Sequence, residues 1–304
     1  MRNEPRLQFI TSIAIFAFWG VIARYFQLPP PLLLAIIGAA GTVTCLLNYR
    51  APIRWTAGAA LVGAILTLDL LLLFLAFRRI DFATAVALHN AGPILVIILA
   101  PWITGDRFRP GGLILACIGF AAVAVLCGAR LEDASAATAA GMTFALLSAG
   151  TLAASMLVQR HLMKRGDDYR GTVLQYNVTL TAACTLLAIA WPYTVDHAAY
   201  ADLNIEPLEI AGAALAGVIT QGLAMLLFNS AARQLSSEAM ARLSLLGPMF
   251  TVALGTLLYA EWPTAIQLAA LCTIMAVSYV ARPDPSKSSL AAELPARGRT
   301  AQSS

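Results

Sequence analysis

The sequence predicts an all-α polytopic membrane protein, with ten transmembrane helices arranged as two inverted five-helix repeats. Three observations predict this fold class: the apolar composition, ten apolar runs, and motifs that recur at one fixed offset. Of the 304 residues, 59% are hydrophobic and 12% are charged, and the mean hydropathy is +0.75. Soluble domains carry about 25% charged residues, so a soluble globular protein is excluded.

Ten apolar runs have the length that crosses a bilayer, for which about 20 residues are needed. In chain order they are 7–26, 30–48, 55–77, 82–104, 111–129, 137–160, 171–191, 208–232, 239–259 and 264–281. The first run is too long for a signal peptide and lacks a small-residue cleavage site, so we predict a first spanning helix. Residues 282–304 are small, polar and basic, and we predict a disordered cytoplasmic tail.

A Gly-Pro pair and an acidic residue recur together, 155 residues apart. The matches are Gly92-Pro93 with Gly247-Pro248, and Asp106 with Glu261. Each Gly-Pro lies inside an apolar run and each acid lies in the following loop, which indicates two copies of one unit. We predict these copies at 7–129 and 137–281. Because each copy has five spans, an odd number, the second copy enters the membrane from the opposite side.

The positive charges predict the orientation. Of the twenty Lys and Arg residues, sixteen fall on the side that holds both termini in the ten-helix arrangement. The other side holds Arg24, Arg78, Arg79 and Arg130. Cytoplasmic loops carry the excess of positive charge. Both termini are therefore predicted to be cytoplasmic, in a protein of the inner (plasma) membrane.

This architecture resembles the drug/metabolite transporter superfamily, and in particular its EamA-type members with two tandem EamA domains. The resemblance rests on Trp19-Gly20 in the first run, the paired Gly-Pro motifs and the acid after the fourth and ninth runs. At Asp106 the sequence departs from the pattern, since family members often have Glu there. The resemblance implies a secondary carrier for small metabolites, and a central cavity lined mainly by helices one, three, four, six, eight and nine, with Trp19 in its wall.

Two ionisable side chains fall deep inside apolar runs. Asp69 lies roughly 20 Å from the inner surface in the third helix, and His89 roughly 10 Å below the outer surface in the fourth. In a bilayer core about 30 Å thick these depths coincide. Because buried charge is costly there, three interpretations stay open. The pair couples proton movement to transport or contacts substrate, it forms a structural hydrogen-bonded lock, or it makes no contact.

Arg24 and Gln221 are further candidates for the site. Arg24, near the outer end of the first helix, is expected either to meet a substrate carboxylate or to extend to the membrane interface. Gln221 is polar and lies within the eighth run, where it is expected to line the cavity or to bond a neighbouring helix.

The recurring motifs suggest two structural roles. Proline removes one backbone hydrogen bond from a helix, so Gly92, Pro93, Gly247 and Pro248 are predicted to form hinges, or kinks without a transport role. Asp106 and Glu261 precede the fifth and tenth helices, where a carboxylate stabilises the amino end of a helix. Glu238 and Arg242, four residues apart, are expected to form a local ion pair, or a cytoplasmic gate.

Cofactor and metal motifs are not found in the sequence. No GxxxxGK[ST] motif is present, and His161 and His197 lie in predicted loops, so neither ATP-driven transport by this chain nor a helical zinc site is expected. We expect no cofactor, no metal and no nucleic-acid partner. The five cysteines lie inside apolar runs and are interpreted as packing residues.

These observations predict a secondary active transporter and not an enzyme. It would move a small metabolite across the bilayer by alternating access, with proton coupling or exchange, as a monomer or homodimer. Export of an amino acid or related compound is the first expectation. The alternative is uptake or exchange of a vitamin, amine or nucleotide-like metabolite. A membrane-embedded lipid enzyme and a channel are remote alternatives, because clustered catalytic side chains and a charged ring or carbonyl filter are not seen in the sequence.

Overall fold

The structure, a computed structural model, describes residues 4–19, 22, 25–49, 54–80, 82–108, 110–127, 136–194, 206–259 and 262–279. Regular structure in these residues is helical, with no strand. The helices of the first half are α1 (Pro5–Phe16), α2 (Pro30–Asn48), α3 (Ala57–Phe77), α4a (Phe82–His89), α4b (Gly92–Ile103) and α5 (Pro110–Cys127). Those of the second half are α6 (Ala136–Arg165), α7 (Tyr169–Thr194), α8a (Pro207–Gly217), α8b (Met225–Ala232), α9a (Ser237–Ser244), α9b (Leu246–Tyr259) and α10 (Ala265–Tyr279).

Each predicted apolar run coincides, wholly or in part, with helix in the described residues. Within the described part of the chain, six helices are long and apolar enough to cross a membrane: Pro30–Asn48, Ala57–Phe77, Thr84–Ile103, Thr138–Arg165, Tyr169–Tyr193 and Pro207–Ala232. Two shorter apolar helices are Pro110–Leu126 and Ala265–Tyr279. The prediction of an all-helical, multi-pass membrane protein is confirmed. The predicted tail at 282–304 lies outside the described residues.

The fourth and ninth helical segments are interrupted at matching positions. A turn at Asn90 and Ala91 separates α4a from α4b, and a turn at Leu245 separates α9a from α9b. Asn90 and Leu245 are 155 residues apart, the same offset as the Gly-Pro motifs. Each interruption thus lies immediately before its motif, and the two halves share a local structure as well as a sequence pattern.

Proline chemistry explains part of this interruption. Pro93 and Pro248 have no N–H, so they cannot donate to the carbonyls of His89 and Ser244, four residues earlier. The carbonyls at these two points therefore lack their usual helical donor. In membrane helices such groups are found where they are buried in protein or line a cavity.

The eighth helical segment contains a wider turn that the apolar pattern does not predict. Between α8a and α8b the chain forms a π-helical segment, Val218–Ala224, and all three parts continue without a loop. π-helical turns are rare and are frequently found at functional sites. Gln221 lies at the centre of this segment.

Contacts between helices join the first half of the chain to the second. The packed pairs include α2 with α7, α5 with α10, α3 with α6, α1 with α8b, and α4b with α9a. Small residues allow close approach, as is usual in membrane helix pairs. A Cβ on Gly38 would lie only 2.8 Å from Thr181 Oγ1, and one on Gly217 would collide with the backbone of Ile37. Glycine is therefore required where α2 crosses α7 and α8a.

Local signals fix the ends of α6 and α9a, which carry functional candidates. The Ser236 hydroxyl accepts a hydrogen bond from the Ala239 N–H at 3.3 Å and caps the start of α9a. After α6, Gly166 has a positive φ of 90°, which glycine adopts without strain. Its N–H donates to the Met163 carbonyl at 3.2 Å, and the chain then turns into α7.

Candidate functional site

A cavity of about 190 Å³ lies in the middle of the helix bundle. Its walls come from α1, α3, α4a, α6, α7, the π-helical segment, α8b, α9a and α9b. At the ~30 Å³ that one water takes in the liquid, the space corresponds to about six waters, which suits a small metabolite. Asp69, His89, Trp19 and Gln221 all line it, so four of the five predicted contact residues share one space. Arg24 lies outside the described residues.

Asp69 and His89 approach each other across the cavity wall. His89 Nδ1 lies 3.8 Å from Asp69 Oδ1. The Ser148 hydroxyl, from α6, lies between them, 2.6 Å from Asp69 Oδ1 and 2.8 Å from His89 Nδ1. The open question of contact is therefore answered at the level of geometry: the two groups are joined through a serine on a third helix.

The proton positions in this chain of three groups follow from its chemistry. When Asp69 is ionised, Ser148 donates its one hydroxyl proton to the carboxylate, so its oxygen accepts the Nδ1–H of His89. In the neutral imidazole, Nε2 is then an acceptor. The hydroxyl of Thr151, one helical turn after Ser148, lies 3.3 Å from Asp69 Oδ1, and its one proton is shared with the Ser148 carbonyl at 2.9 Å and the Leu147 carbonyl at 3.2 Å. Both hydroxyls therefore use Oδ1, and neither uses Oδ2.

Gln221 belongs to a second polar group, formed with α7. The Tyr176 hydroxyl donates to Gln221 Oε1. Asn177 Nδ2 donates to the Gln221 carbonyl at 3.0 Å and to the Val173 carbonyl at 3.0 Å. All of these side chains are buried. The π-helical turn thus places Gln221 so that its side chain and its backbone both bond to α7, and Tyr176 brings α7 into the cavity wall, which the predicted set of helices did not include.

The remaining predicted residues are placed as follows. Trp19 packs edge-on against Phe74, with ring centroids 5.9 Å apart, and faces the cavity. Gly247 and Pro248 line the cavity, whereas Gly92 packs against α6, where a Cβ would lie 3.0 Å from the Ala149 carbonyl oxygen. The two copies of the motif are therefore equivalent in backbone position but not in surroundings. A Cβ on Gly247 would meet only Ile13, at 3.6 Å.

A cluster of charged and polar side chains lies at one end of the cavity. Gln159 lines the cavity at this end, and the next residue on α6, Arg160, belongs to the cluster. We call it the Asp106 cluster, and its members are Thr104, Asp106, Arg160, Lys164 and Ser237. Asp106 Oδ2 accepts from the Ser237 N–H at 3.0 Å and from its hydroxyl at 2.7 Å. Asp106 Oδ1 lies 3.3 Å from Lys164 Nζ, and Oδ2 lies 4.0 Å from Arg160 Nε.

The Asp106 cluster ties together helices from both halves. Lys164 also donates to the Thr104 carbonyl at 2.6 Å, after α4b. Arg160 donates to the carbonyls of Ala232 at 2.7 Å and Arg233 at 3.2 Å, after α8b. The predicted role of Asp106 at the start of the fifth helix was too narrow, because its carboxylate binds the amino end of α9a and the cations of α6. Glu261, its counterpart in the repeat, lies outside the described residues.

Another prediction concerns the pair at the start of the ninth helix. Glu238 Oε1 accepts from Arg242 Nη2 at 2.7 Å, which is the local i,i+4 ion pair that the sequence favours.

Three residues of the site were missed by reasoning from sequence: Ser148 and Thr151, whose hydroxyls contact Asp69, and Gln159, which lines the cavity. Ser148 and Thr151 lie three residues apart, on one face of α6. That spacing is a signal, but hydroxyls are common in membrane helices and are usually satisfied by their own backbone. Gln159 is 2% exposed, lines the cavity, and its Oε1 has no hydrogen-bond partner in the described residues. Within those residues, no group of three or more His, Cys, Asp or Glu is placed to hold a metal ion.

The second half of the sequence matches a known protein family. Residues 139–281 match the EamA-like transporter family. The chain contains an EamA-like transporter domain. The predicted resemblance is therefore confirmed for this part of the sequence, and the chain is a multi-pass membrane protein with a domain of the EamA-like transporter family. The match coincides with the second predicted repeat, and the first EamA-like repeat, at 7–129, stays a prediction.

Solved structures support the fold independently. One protein crystal structure is similar over 92% of this chain and 99% of its own length, with a TM-score of 0.79 and 18% sequence identity. In all, 29 chains of solved structures match. At this identity the likeness establishes the fold alone. None of the curated proteins matches the sequence.

Proposed function

We propose that this EamA-type protein is a secondary active transporter that carries a small metabolite by alternating access. The observation that carries the proposal is the central cavity, which holds a joined carboxylate and imidazole and ends at the Asp106 cluster. Ionisable groups inside membrane helices generally mark substrate or proton pathways. A cavity midway along the helices, between two halves of the chain, is where transporters of this kind bind their cargo.

Internal symmetry supports the ten-helix inverted repeat. If helix n of the first half corresponds to helix n + 5, the contact between α3 and α6 corresponds to that between α8b and α1, and both occur. The pairs α2 with α7 and α5 with α10 correspond to themselves, and these also occur. Together with the helix interruptions at the 155-residue offset, this pattern supports two copies that rock against each other.

Alternating access assigns a role to the Asp106 cluster. Its contacts join the ends of α4b, α6, α8b and α9a beside Gln159. Opening the cavity at this end requires these hydrogen bonds and ion pairs to separate. In the predicted orientation this is the cytoplasmic end, so the cluster acts as the inner closure, while the interruptions before Gly92 and Gly247 act as hinges.

Proton exchange is the proposed driving reaction, with Asp69 and His89 as its centre. In the described part of the chain, the titratable groups that face Asp69 are His89 from α4a and Tyr176 from α7. From α6, Asp69 is contacted by the hydroxyls of Ser148 and Thr151. A proton taken up by His89 adds a positive charge 3.8 Å from the Asp69 carboxylate and turns Nε2 from an acceptor into a donor. Protonation of His89 and binding of a substrate to the Asp69 carboxylate then compete with each other.

Metabolite export from the cytoplasm across the inner membrane is the proposed direction, with an amino acid or related compound as cargo. Uptake or exchange of a vitamin, amine or nucleotide-like compound is the alternative within the same class. The proposal requires a substrate and a bilayer, and it holds for a monomer or a homodimer.

Solute counterflow in proteoliposomes tests the proposed function. Liposomes with purified protein are loaded with a mixed pool of amino acids, amines, vitamins and nucleosides, and one labelled member at a time is added outside. A carrier gives transient accumulation of a labelled solute above its equilibrium level. Leak of many solutes without accumulation would show a channel, and turnover of a lipid without flux would show an enzyme.

The coupling step has its own test. Transport of the identified solute is measured across a range of pH in wild-type, Asp69→Asn and His89→Gln protein. We expect Asp69→Asn to abolish exchange with protons and His89→Gln to flatten the pH dependence. Wild-type transport with an unchanged pH dependence in both variants would refute the coupling.

A further inference from the structure

The charges in the cavity wall are unbalanced. Among the described residues that line the cavity, Asp69 and His89 are the side chains that can carry a charge near neutral pH. None of these residues is Lys or Arg. Both hydroxyl donors to Asp69 bind Oδ1, and the second oxygen, Oδ2, is left for another donor. Among the described residues of this wall a substrate carboxylate would find no cation, whereas a substrate cation would find a carboxylate.

The hydroxyl donors in the wall are occupied by the protein itself. The hydroxyls of Ser155, Ser244 and Thr251 donate to carbonyls of their own helices, at 2.8, 2.7 and 3.2 Å. Asn90 Nδ2 donates to the Val86 carbonyl at 2.8 Å, and the Tyr176 hydroxyl donates to Gln221. The donors left for a ligand are therefore neutral N–H groups, the indole of Trp19 and the amides of Gln159 and Gln221, and none of them carries a charge.

Several acceptors in the wall, in contrast, lack a donor, and one of them is a carboxylate oxygen. Besides Asp69 Oδ2, the carbonyls of His89 and Ser244 lack their helical donors because residues 93 and 248 are prolines. The amide oxygen of Gln159 is buried without a hydrogen-bond partner in the described residues. In the neutral tautomer that Ser148 selects, His89 Nε2 is an acceptor too. Buried acceptors without donors are costly, so a bound group that only donates would be favoured.

The rest of the wall is apolar and aromatic. Phe16, Trp19, Phe77 and Phe228 line the cavity together with aliphatic side chains of α3 and α8b. Aromatic faces attract cations, and apolar walls bury the body of an amphipathic solute. An ammonium group has three donors and no acceptor, and it is the group that complements this wall.

We propose that the transported substrate bears an ammonium group, which binds Asp69 Oδ2 while an apolar or aromatic body lies along α3 and α8b. This inference rests on the proposed carrier function and narrows it to amine-bearing solutes. It also distinguishes the amine from the carboxylate of an amino acid: the amine is recognised, and the carboxylate is tolerated at most. A proton on His89 opposes the bound ammonium, which gives exchange of amine for proton a physical basis.

Four ligands with one aromatic body test the proposal by isothermal titration calorimetry of the full chain in detergent micelles. Phenethylammonium carries only the ammonium group, 3-phenylpropanoate only the carboxylate, phenylalanine both and 2-phenylethanol neither. After subtraction of the heat from protein-free micelles, we expect phenethylammonium to bind about tenfold or more tightly than 2-phenylethanol, as a charge-assisted hydrogen bond provides. We expect phenylalanine to bind no more tightly than phenethylammonium, and 3-phenylpropanoate to bind most weakly.

Variants assign the preference to Asp69. Asp69→Asn is expected to remove the advantage of phenethylammonium and to leave 2-phenylethanol unchanged, and Asp69→Glu is expected to retain the advantage. The matched control is Glu209→Gln, which removes a carboxylate that lies outside the cavity wall and accepts from the Gln27 N–H at 2.9 Å. If the Asp69 variants fail to fold, the wild-type ligand series still decides the question.

The outcomes separate this inference from the proposed function. Tighter binding of 3-phenylpropanoate than of phenethylammonium, equal binding of all four ligands, or no binding of phenethylammonium would overturn the ammonium site. Counterflow of a carboxylate-only solute would overturn it as well, while supporting the carrier. Preferential binding of phenethylammonium without counterflow of any solute would support the site and count against the carrier.

Discussion

Asp69 and Asp106 each accept a hydrogen bond from a serine hydroxyl, yet their surroundings differ. Ser148 donates to Asp69 Oδ1 at 2.6 Å, and Ser237 donates to Asp106 Oδ2 at 2.7 Å. At Asp106 the other oxygen is also bound, by Lys164 at 3.3 Å, and Arg160 lies 4.0 Å away. At Asp69 both hydroxyls converge on one oxygen, and the nearby nitrogen belongs to a histidine, which is charged only when protonated.

One residue type can therefore serve two purposes within the same helix bundle. A carboxylate whose two oxygens are engaged by fixed partners holds helices together. A carboxylate with one oxygen directed to a cavity, beside a group that gains and loses a proton, remains available to cargo. Substitutions at the two carboxylates and their partners should therefore differ in their effects on stability and on transport.

The largest effect on stability is expected for Asp106→Ala. Arg160, whose side chain is 3% exposed, would keep its carbonyl partners but lose its nearby carboxylate, and Ser237 would lose an acceptor. Breaking a buried ion pair in this way costs about 3–5 kcal/mol. Thermal unfolding of the detergent-purified variant measures the loss. A midpoint equal to that of the wild type would show that the cluster does not hold the helix ends.

Ser148→Ala is expected to have an intermediate effect. The change leaves His89 Nδ1 without its partner at 2.8 Å and leaves Asp69 with Thr151 at 3.3 Å. Loss of a hydrogen bond to a charged group costs about 1.5–3 kcal/mol, and the pH dependence of transport should move because the chain of three groups is broken. Thermal unfolding and transport assays across pH are the measurements. Thr151→Val is the control, since its hydroxyl is shared with backbone carbonyls and makes only the longer contact to Asp69, so both quantities should shift less.

The two motif glycines should respond in opposite directions to alanine. A Cβ at position 92 would lie 3.0 Å from the Ala149 carbonyl oxygen, against a packed helix, so Gly92→Ala should cost about 1–3 kcal/mol. At position 247 the nearest atom is 3.6 Å away, so Gly247→Ala should be neutral, or stabilise by up to about 1 kcal/mol through its better helix propensity. Equal unfolding midpoints would mean that the two copies are packed alike.

The smallest effect is expected for Lys164→Ala. Its side chain is 38% exposed, and exposed ion pairs contribute about 1 kcal/mol or less. Thermal unfolding should therefore change far less than for Asp106→Ala. A loss of thermal stability as large as that of Asp106→Ala would mean that the cluster is stabilised mainly by the lysine contact and not by the buried arginine.

Much of the helical fold could be predicted from the sequence, because an apolar run of bilayer length must satisfy its backbone hydrogen bonds within the membrane and does so as a helix. The run at 30–48 has the same bounds as α2, and the Gly-Pro motifs located the interruptions of the fourth and ninth segments. The π-helical segment could not be predicted, because it depends on how Gln221 bonds to α7 and not on any residue pattern.

The candidate site was predictable only in part. Depth in the bilayer placed Asp69 and His89 at one level, since adjacent helices must lie side by side. Ser148 could not be found in this way, because it reaches them from α6, 79 residues from Asp69, and only the packing of α3 on α6 brings it there. The same limit applies to Asp106, whose partners lie 58 and 131 residues away.

The most direct test of the central claim is counterflow of the identified solute by wild-type and Asp69→Asn protein, reconstituted side by side at equal density, with Glu209→Gln as the control. We expect transient accumulation in the wild type and the control, and a rate at least about tenfold lower in Asp69→Asn, the loss of one charge-assisted hydrogen bond to the cargo. Accumulation by Asp69→Asn at the wild-type rate would contradict the account, because the cavity carboxylate would then take no part in transport.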